Sequence, residues 1–189
     1  MVLLYTPELE LGKKMPSFNL PGVDDNHWNF EQCMGENGLV VMFICNHCPY
    51  VKSIQDKLVE DAISLDTFGV NVVAIMSNDV NDYPEDSFEN MKKIAKEKQY
   101  PFPYLLDSSQ DIAKLYGAVC TPDIFGLDRQ GKLQYRGRLD GSGSNTSEKM
   151  PRDLVNAMQE LVTDGKISSE QIPSVGCSIK WINGNSSIN

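Results

Sequence analysis

Two kinds of hydrophobic pattern alternate along the chain. Gly38-Leu39-Val40-Val41-Met42-Phe43-Ile44 and Val70-Asn71-Val72-Val73-Ala74-Ile75-Met76 are near-continuous, β-branched runs, the pattern of strands buried on both faces. Between them Val51, Ile54, Leu58, Ala62 and Leu65 recur at spacings of three and four, which predicts a helix with one buried face. Pro49 suits its first position, where a missing N–H costs nothing, and Gly69 closes it. Phe88, Met91, Ile94 and Ala95 predict a second amphipathic helix ending near Lys98. A short strand at Tyr104-Leu105-Leu106 and a short helix from Gln110 to Tyr116, stopped by Gly117, come next. Asp123-Ile124-Phe125-Gly126-Leu127, the turn Asp128-Arg129-Gln130-Gly131, and Lys132-Leu133-Gln134-Tyr135-Arg136 predict a β-hairpin. Leu154, Val155, Met158, Leu161 and Val162 define a last helix with Gly165 as its stop, and the tail from Ile172 reads as irregular.

Upstream, Phe18-Asn19-Leu20 and His27-Trp28-Asn29-Phe30 flank a turn at Pro21-Gly22-Val23-Asp24-Asp25-Asn26. Strands that alternate with helices predict an α/β fold, a parallel-type central sheet with helices on its faces, finished by an antiparallel hairpin. With 189 residues, a single domain is expected, with a core from about residue 12 to residue 165.

Composition narrows the function. Lys+Arg is 17 against Asp+Glu 26, a net charge of −9. A chain so acidic is poorly suited to neutralising a phosphate backbone or to docking on anionic lipid, so neither nucleic acid nor membrane is an expected partner. No apolar run approaches the ~20 residues needed to span a bilayer. Met1-Val2-Leu3-Leu4-Tyr5 has no basic segment and only a short apolar one, unlike a secretory signal, and a cytoplasmic location is expected.

The cysteines carry the candidate chemistry. There are five, Cys33, Cys45, Cys48, Cys120 and Cys177, an odd number in a chain too long for a disulfide-stapled scaffold. With Pro49 as the first helical residue, Cys48 is the N-cap, facing free backbone N–H groups and the positive end of the helix dipole. That environment favours the thiolate, the nucleophile in disulfide exchange, and His47 beside it assists if protonated. Cys48 is the candidate attacking group. Cys45 and Cys48 form a C-x-x-C, but three extended residues span roughly 10 Å and a disulfide needs Cα atoms within about 7 Å. Cys45 therefore pairs with Cys48 only if the strand turns early, at Asn46. Pro122, at the start of the hairpin, occupies a position where a cis peptide bond is common.

Phe43-Ile44-Cys45-Asn46-His47-Cys48-Pro49-Tyr50-Val51, Tyr116-Gly117-Ala118-Val119-Cys120-Thr121-Pro122-Asp123 and Pro173-Ser174-Val175-Gly176-Cys177-Ser178-Ile179-Lys180-Trp181 together resemble the thioredoxin superfamily. Within it they resemble the peroxiredoxin-like branch, that of bacterial thioredoxin-family and alkyl hydroperoxide reductase or thiol-specific antioxidant-like proteins. The resemblance runs from about Gly12 to Trp181. It implies a thioredoxin fold with Pro122 as the cis-proline facing the Cys48 sulfur, and it implies thiol–disulfide oxidoreductase chemistry without an organic cofactor. Because the cis-proline loop abuts the helix N-terminus in that fold, it implies Cys120 as first partner of Cys48, then Cys45, with Cys177 third if the tail folds back. Thr121, Pro122, His47 and Pro49 are the implied substrate-binding residues, Thr121 and Pro122 through backbone pairing with an extended segment. The implied partners are a thiol or disulfide substrate and a thiol electron donor, with the protein a monomer or homodimer.

Two departures from the family patterns stand out. Val51 occupies the resolving position of thioredoxin, and counting back from Cys48 gives Cys45 and Val41 where the peroxidatic pattern has Thr or Ser and Pro. A thiol peroxidase using Cys48 is the first alternative. The others are a non-catalytic redox sensor and a metal-binding protein using Cys45, His47, Cys48, Cys120 and Cys177 as soft ligands, although a metal is not expected. Cys33 and His27 read as structural. The acidic run Asn78–Asp86 has Pro84 where a calcium loop starting at Asp79 needs Gly and reads as a solvated loop. Gly141-Ser142-Gly143 reads as a linker, and Asn145-Thr146-Ser147 and Asn185-Ser186-Ser187 match glycosylation acceptors without meaning in a cytosolic chain.

Overall fold

A computed structural model of the chain describes residues 3–7, 10–141 and 150–183. The serine-rich stretch after Gly141, the acceptor motifs at Asn145 and Asn185, and both extreme ends lie outside the described residues. In chain order the elements are β1 (Leu3–Tyr5), β2 (Asn19–Pro21), β3 (His27–Asn29), α1 (Phe30–Cys33), β4 (Gly38–Phe43) and α2 (Pro49–Asp66). They continue with β5 (Val70–Met76), α3 (Phe88–Glu97), β6 (Tyr104–Leu106), α4 (Asp111–Tyr116) and β7 (Cys120–Thr121). The chain ends with β8 (Asp123–Asp128), β9 (Leu133–Arg136), α5 (Asp153–Asp164) and β10 (Val175–Ser178).

The central sheet has the order β6-β5-β4-β8-β9. β4, β5 and β6 are parallel, and the β8–β9 hairpin adds antiparallel to β4. Every residue of β4 is buried, because side chains alternate between two cores. Leu39, Val41 and Phe43 enter one with Phe30, Tyr116 and Phe125. Val40, Met42 and Ile44 enter the other with Val51, Leu58, Leu154 and Met158 from α2 and α5. Each such side chain contributes about 1.5–3 kcal/mol on burial, and a polar substitution in β4 would damage one core or the other.

Register decides where chemistry can gather. Phe43 pairs with Asp123 in β8 and with Ile75 in β5. The residues that follow β4 therefore lie beside those that precede Asp123, namely Thr121 and Pro122, and beside those that follow β5.

The tail departs from the expectation of irregularity. Residues 175–178 form β10, the middle strand of a second sheet ordered β1-β10-β7. Val-Gly-Cys-Ser is too short to show a period, and its strand state comes from long-range pairing, Leu3 opposite Cys177 on one edge and Cys177 opposite Thr121 on the other. The acidic run also differs from a solvated loop: Asn78, Asp79 and Asp86 are all buried. No helix among the described residues is long and apolar enough to cross a membrane.

Candidate functional site

β4 stops at Phe43, and the chain bends at Asn46 and His47 before α2 begins. This is the early turn that a Cys45–Cys48 contact requires. Cys48 is the N-cap of α2 with Pro49 at its first position. Both Cys45 and Cys48 are buried, Cys48 fully. Thr121 and Pro122 sit across from them, joined by a cis peptide bond.

Three thiols meet at this junction. Cys48 Sγ lies 3.1 Å from Cys177 Sγ and 3.1 Å from the carbonyl oxygen of Thr121. Cys45 Sγ lies 3.4 Å from Thr121 Oγ1 and 3.8 Å from His47 Nδ1. The Cys48 thiol titrates low, at about 4, chiefly because the Cys45 thiol donates to it. Burial opposes that shift, while Thr121, Cys177 and the Val51 backbone N–H support it. The sulfur makes no cap hydrogen bond of normal geometry, so the Val51 N–H acts as a near electrostatic partner rather than a full cap.

The other two sulfurs move the other way. Donation to Cys48, burial and the nearby Asp86 charge push the Cys45 thiol far up. Burial and the Cys48 contact push Cys177 up to about 12. The surroundings thus favour the thiolate on Cys48 and the thiol form on Cys45 and Cys177.

The turn is fixed from below by Asp86, fully buried in the loop after β5. Its Oδ1 accepts from the backbone N–H of Asn46 at 2.7 Å and of His47 at 3.1 Å. Its Oδ2 lies 2.6 Å from His47 Nδ1 and accepts from Asn78 at 2.8 Å. Burial alone would raise the Asp86 carboxyl, but donors from His47, Asn78 and Asn46 hold it below its ordinary value. The His47 ring stacks on Tyr83, with centroids 5.1 Å apart. Asn46 accepts from the Tyr104 hydroxyl, so every residue of the turn is anchored.

The remaining sequence-predicted residues fall as follows. Cys120 is buried on β7, one residue before Thr121, and its thiol donates to the Pro122 carbonyl at 3.6 Å rather than to Cys48. Adjacent strand residues point to opposite faces, which places Thr121 toward Cys45 and turns Cys120 aside. Cys177, third in the sequence-based order, lies against Cys48 at 3.1 Å, and Cys45 reaches the same sulfur as its chief donor. Pro49 is exposed and Pro122 buried. A groove of about 210 Å³, lined in part by Tyr5, Tyr50, Ile54, Pro122 and Val175, opens beside the junction. Asp86 was hidden in sequence by its acidic neighbours; the available signal was its place in the loop after the strand adjoining β4.

A metal would find a partial set of ligands here. Cys45, His47 and Asp86 bring ligand atoms within 4.8 Å of one another, but His47 and Asp86 already satisfy each other. A thiolate beside a second thiol can attack a disulfide and then be released by its neighbour.

Comparison with known proteins adds the following. The chain is 45% identical to an uncharacterized conserved protein from Geobacillus kaustophilus of known structure, over 96% of this chain and 97% of that one, with a TM-score of 0.90. The thioredoxin domain of a thiol-disulfide oxidoreductase from Bacteroides vulgatus superposes with a TM-score of 0.64 at 18% identity, covering 82% of this chain and 100% of that one. Thiol-disulfide oxidoreductase ResA of Bacillus thuringiensis subsp. konkukian is 23% identical over 133 residues, 67% of this chain and 68% of the relative. The fold is the thioredoxin fold, as the resemblance implied. The AhpC/TSA family pattern matches residues 11–136, the stretch that carries Cys45, Cys48 and the cis-proline, and the chain belongs to the AhpC/TSA family.

Proposed function

We propose that this protein is a thiol–disulfide oxidoreductase in which Cys48 is the attacking thiolate. The observation that carries the reading is the Cys48 sulfur at the N-cap of α2, 3.1 Å from a second thiol, in surroundings that favour its thiolate form. Cys48 attacks a disulfide, forms a mixed disulfide and expels one thiol; a second cysteine of the cluster then displaces the other. Cys45 is the in-motif candidate for that second step, since the bend at Asn46 and His47 brings it to Cys48. Cys120 serves only after its thiol leaves the Pro122 carbonyl. The name carried by the ResA relatives supports disulfide chemistry.

The burial of Cys48 favours a second reading, a thiol peroxidase, because a peroxide is small enough to reach a covered sulfur. The residues that precede Cys48 weigh against it, with Cys45 and Val41 where that pattern has Thr or Ser and Pro.

Turnover separates the two. With dithiothreitol as donor, the protein is expected to reduce a disulfide-bearing peptide, and Cys48→Ser to lower the rate by about a hundredfold or more. Stopped-flow consumption of hydrogen peroxide is expected to be equal in wild type and Cys48→Ser. Rapid Cys48-dependent peroxide loss with no disulfide reduction would replace the oxidoreductase with the peroxidase.

A further inference from the structure

β10 lies where an added strand would lie. It pairs antiparallel with β7, Cys177 opposite Thr121 and Ser178 opposite Cys120. Ile179 extends the ladder by donating to the Val119 carbonyl at 3.0 Å, and Ser174 Oγ donates to the Pro122 carbonyl at 2.8 Å. The strand edge beside the cis-proline is therefore filled by the chain's own tail, with a cysteine set against Thr121. The fit depends on Gly176: a Cβ there would lie 2.1 Å from the Thr121 carbonyl oxygen and 2.7 Å from its carbon. Both are backbone atoms, so any side chain at this position forces the two strands apart. Cys48 is fully buried beneath this strand.

We propose that β10 is a built-in redox strand, occupying the place of an extended substrate, and that oxidation closes a disulfide between Cys48 and its Cys177. The proposal rests on Cys48 being the attacking thiolate. Closure needs a movement of only about 1 Å, from the 3.1 Å contact to an S–S bond near 2.05 Å.

The chemistry balances with an external disulfide as oxidant. Cys48 attacks R–S–S–R′, forming Cys48–S–S–R and releasing R′–S⁻, which takes up a proton. Cys177 then loses its proton and attacks Cys48 Sγ. The Cys48–R bond breaks, R–S⁻ leaves and is protonated, and Cys48–Cys177 forms. Two electrons pass from the two protein thiols to R–SH and R′–SH, and an external dithiol reverses the sequence. Consuming the Cys48 charge removes one of the causes that keep Cys177 protonated, so the second step is prepared by the first. Cys177 is held in place by strand pairing, an arrangement that gives an intramolecular thiol a large advantage over a free one. An incoming polypeptide and β10 compete for the same edge of β7.

Reduced full-length protein treated with oxidised glutathione, quenched and mapped by mass spectrometry, tests the proposal. Cys48 joined to Cys177 is the expected major product. Cys177→Ser is expected to accumulate Cys48–glutathione, about tenfold above wild type, because no strand thiol displaces it. Gly176→Ala keeps every cysteine but displaces the strand; it is expected to lower the Cys48–Cys177 yield and to speed Cys48 alkylation by about tenfold. Wild-type protein that yields Cys45–Cys48, or Cys48–glutathione with Cys177 recovered as thiol, overturns the strand's role and leaves Cys48 as nucleophile. Absence of any adduct or disulfide at Cys48 in wild type and both variants overturns both readings.

Discussion

At the scale of single residues, the charge on Cys48 depends on who donates to it. Cys45→Ala removes the principal donor and leaves Thr121, Cys177 and the Val51 N–H to hold the anion against burial. Cys48 is then expected to titrate at least about one unit higher, roughly 1.4 kcal/mol of lost preference for the thiolate per unit. Cys45→Ser keeps a hydroxyl donor in place and is expected to recover most of the shift. The pH profile of Cys48 alkylation reads both, and an unchanged midpoint in Cys45→Ala would remove Cys45 from this role. The same charge makes stability depend on pH. From an ordinary value of 9.0 the thiol is held near 4, and between these the unfolded chain keeps a proton that the native protein has released. This contribution therefore rises with pH and is lost as pH falls through the native value. Urea denaturation of wild type and Cys48→Ala is expected to show a stability gap that widens from about pH 5 to about pH 8. That Cys48 caps a helix was legible in sequence, because Pro49 at the first helical position is a local rule. The part played by Cys45 was not, because it depends on a bend that Asp86 holds from across the fold.

At the scale of elements, the cis-proline strand is positioned by a buried ion pair. Asp123 follows Pro122 and is fully buried, with Arg136 of β9 bonded to it at 2.8 and 3.2 Å. Arg136 also reaches the carbonyls of Gly117 and Pro7, and its guanidinium stacks 4.7 Å from the Phe125 ring. Burial raises the Asp123 carboxyl and Arg136 draws it down. Arg136→Met strands a buried carboxyl and is expected to cost about 3–5 kcal/mol, while Arg136→Met with Asp123→Leu is expected to recover a large part of the loss. Equal losses in the single and double variants, measured by urea denaturation, would mean that Asp123 does not need this partner. Strands β4, β5 and β8 and helices α2, α3 and α5 were readable because each spans enough residues to display its period. β10 spans four residues with a glycine and owes its state to Leu3–Tyr5 and Thr121, far away in sequence. The hidden element is the one that places Cys177 on Cys48.

At the scale of the whole molecule, the junction is where distant parts of the chain are tied. The first described strand, the last one and the start of α2 converge on one end of the central sheet, and Cys48 and Cys177 stand 129 residues apart in sequence. A bond between them restricts the unfolded chain over most of its length, while the native state moves by about 1 Å. Disulfide-oxidised protein is expected to be more stable than reduced protein by about 2–4 kcal/mol. It should appear as a higher urea midpoint in wild type and as no gain in midpoint in Cys177→Ser under the same oxidant. A lower midpoint on oxidation would mean that closing the bond distorts β10 more than it restrains the unfolded chain. The sign also bears on how the strand works. A stabilising bond locks β10 onto β7 in the oxidised state, so under the proposed role of β10 a competing extended segment reaches this edge only after an external dithiol has reduced the bond. With its cysteines reduced, β10 already lies against Cys48, so oxidation fixes an occupant that reduction leaves exchangeable.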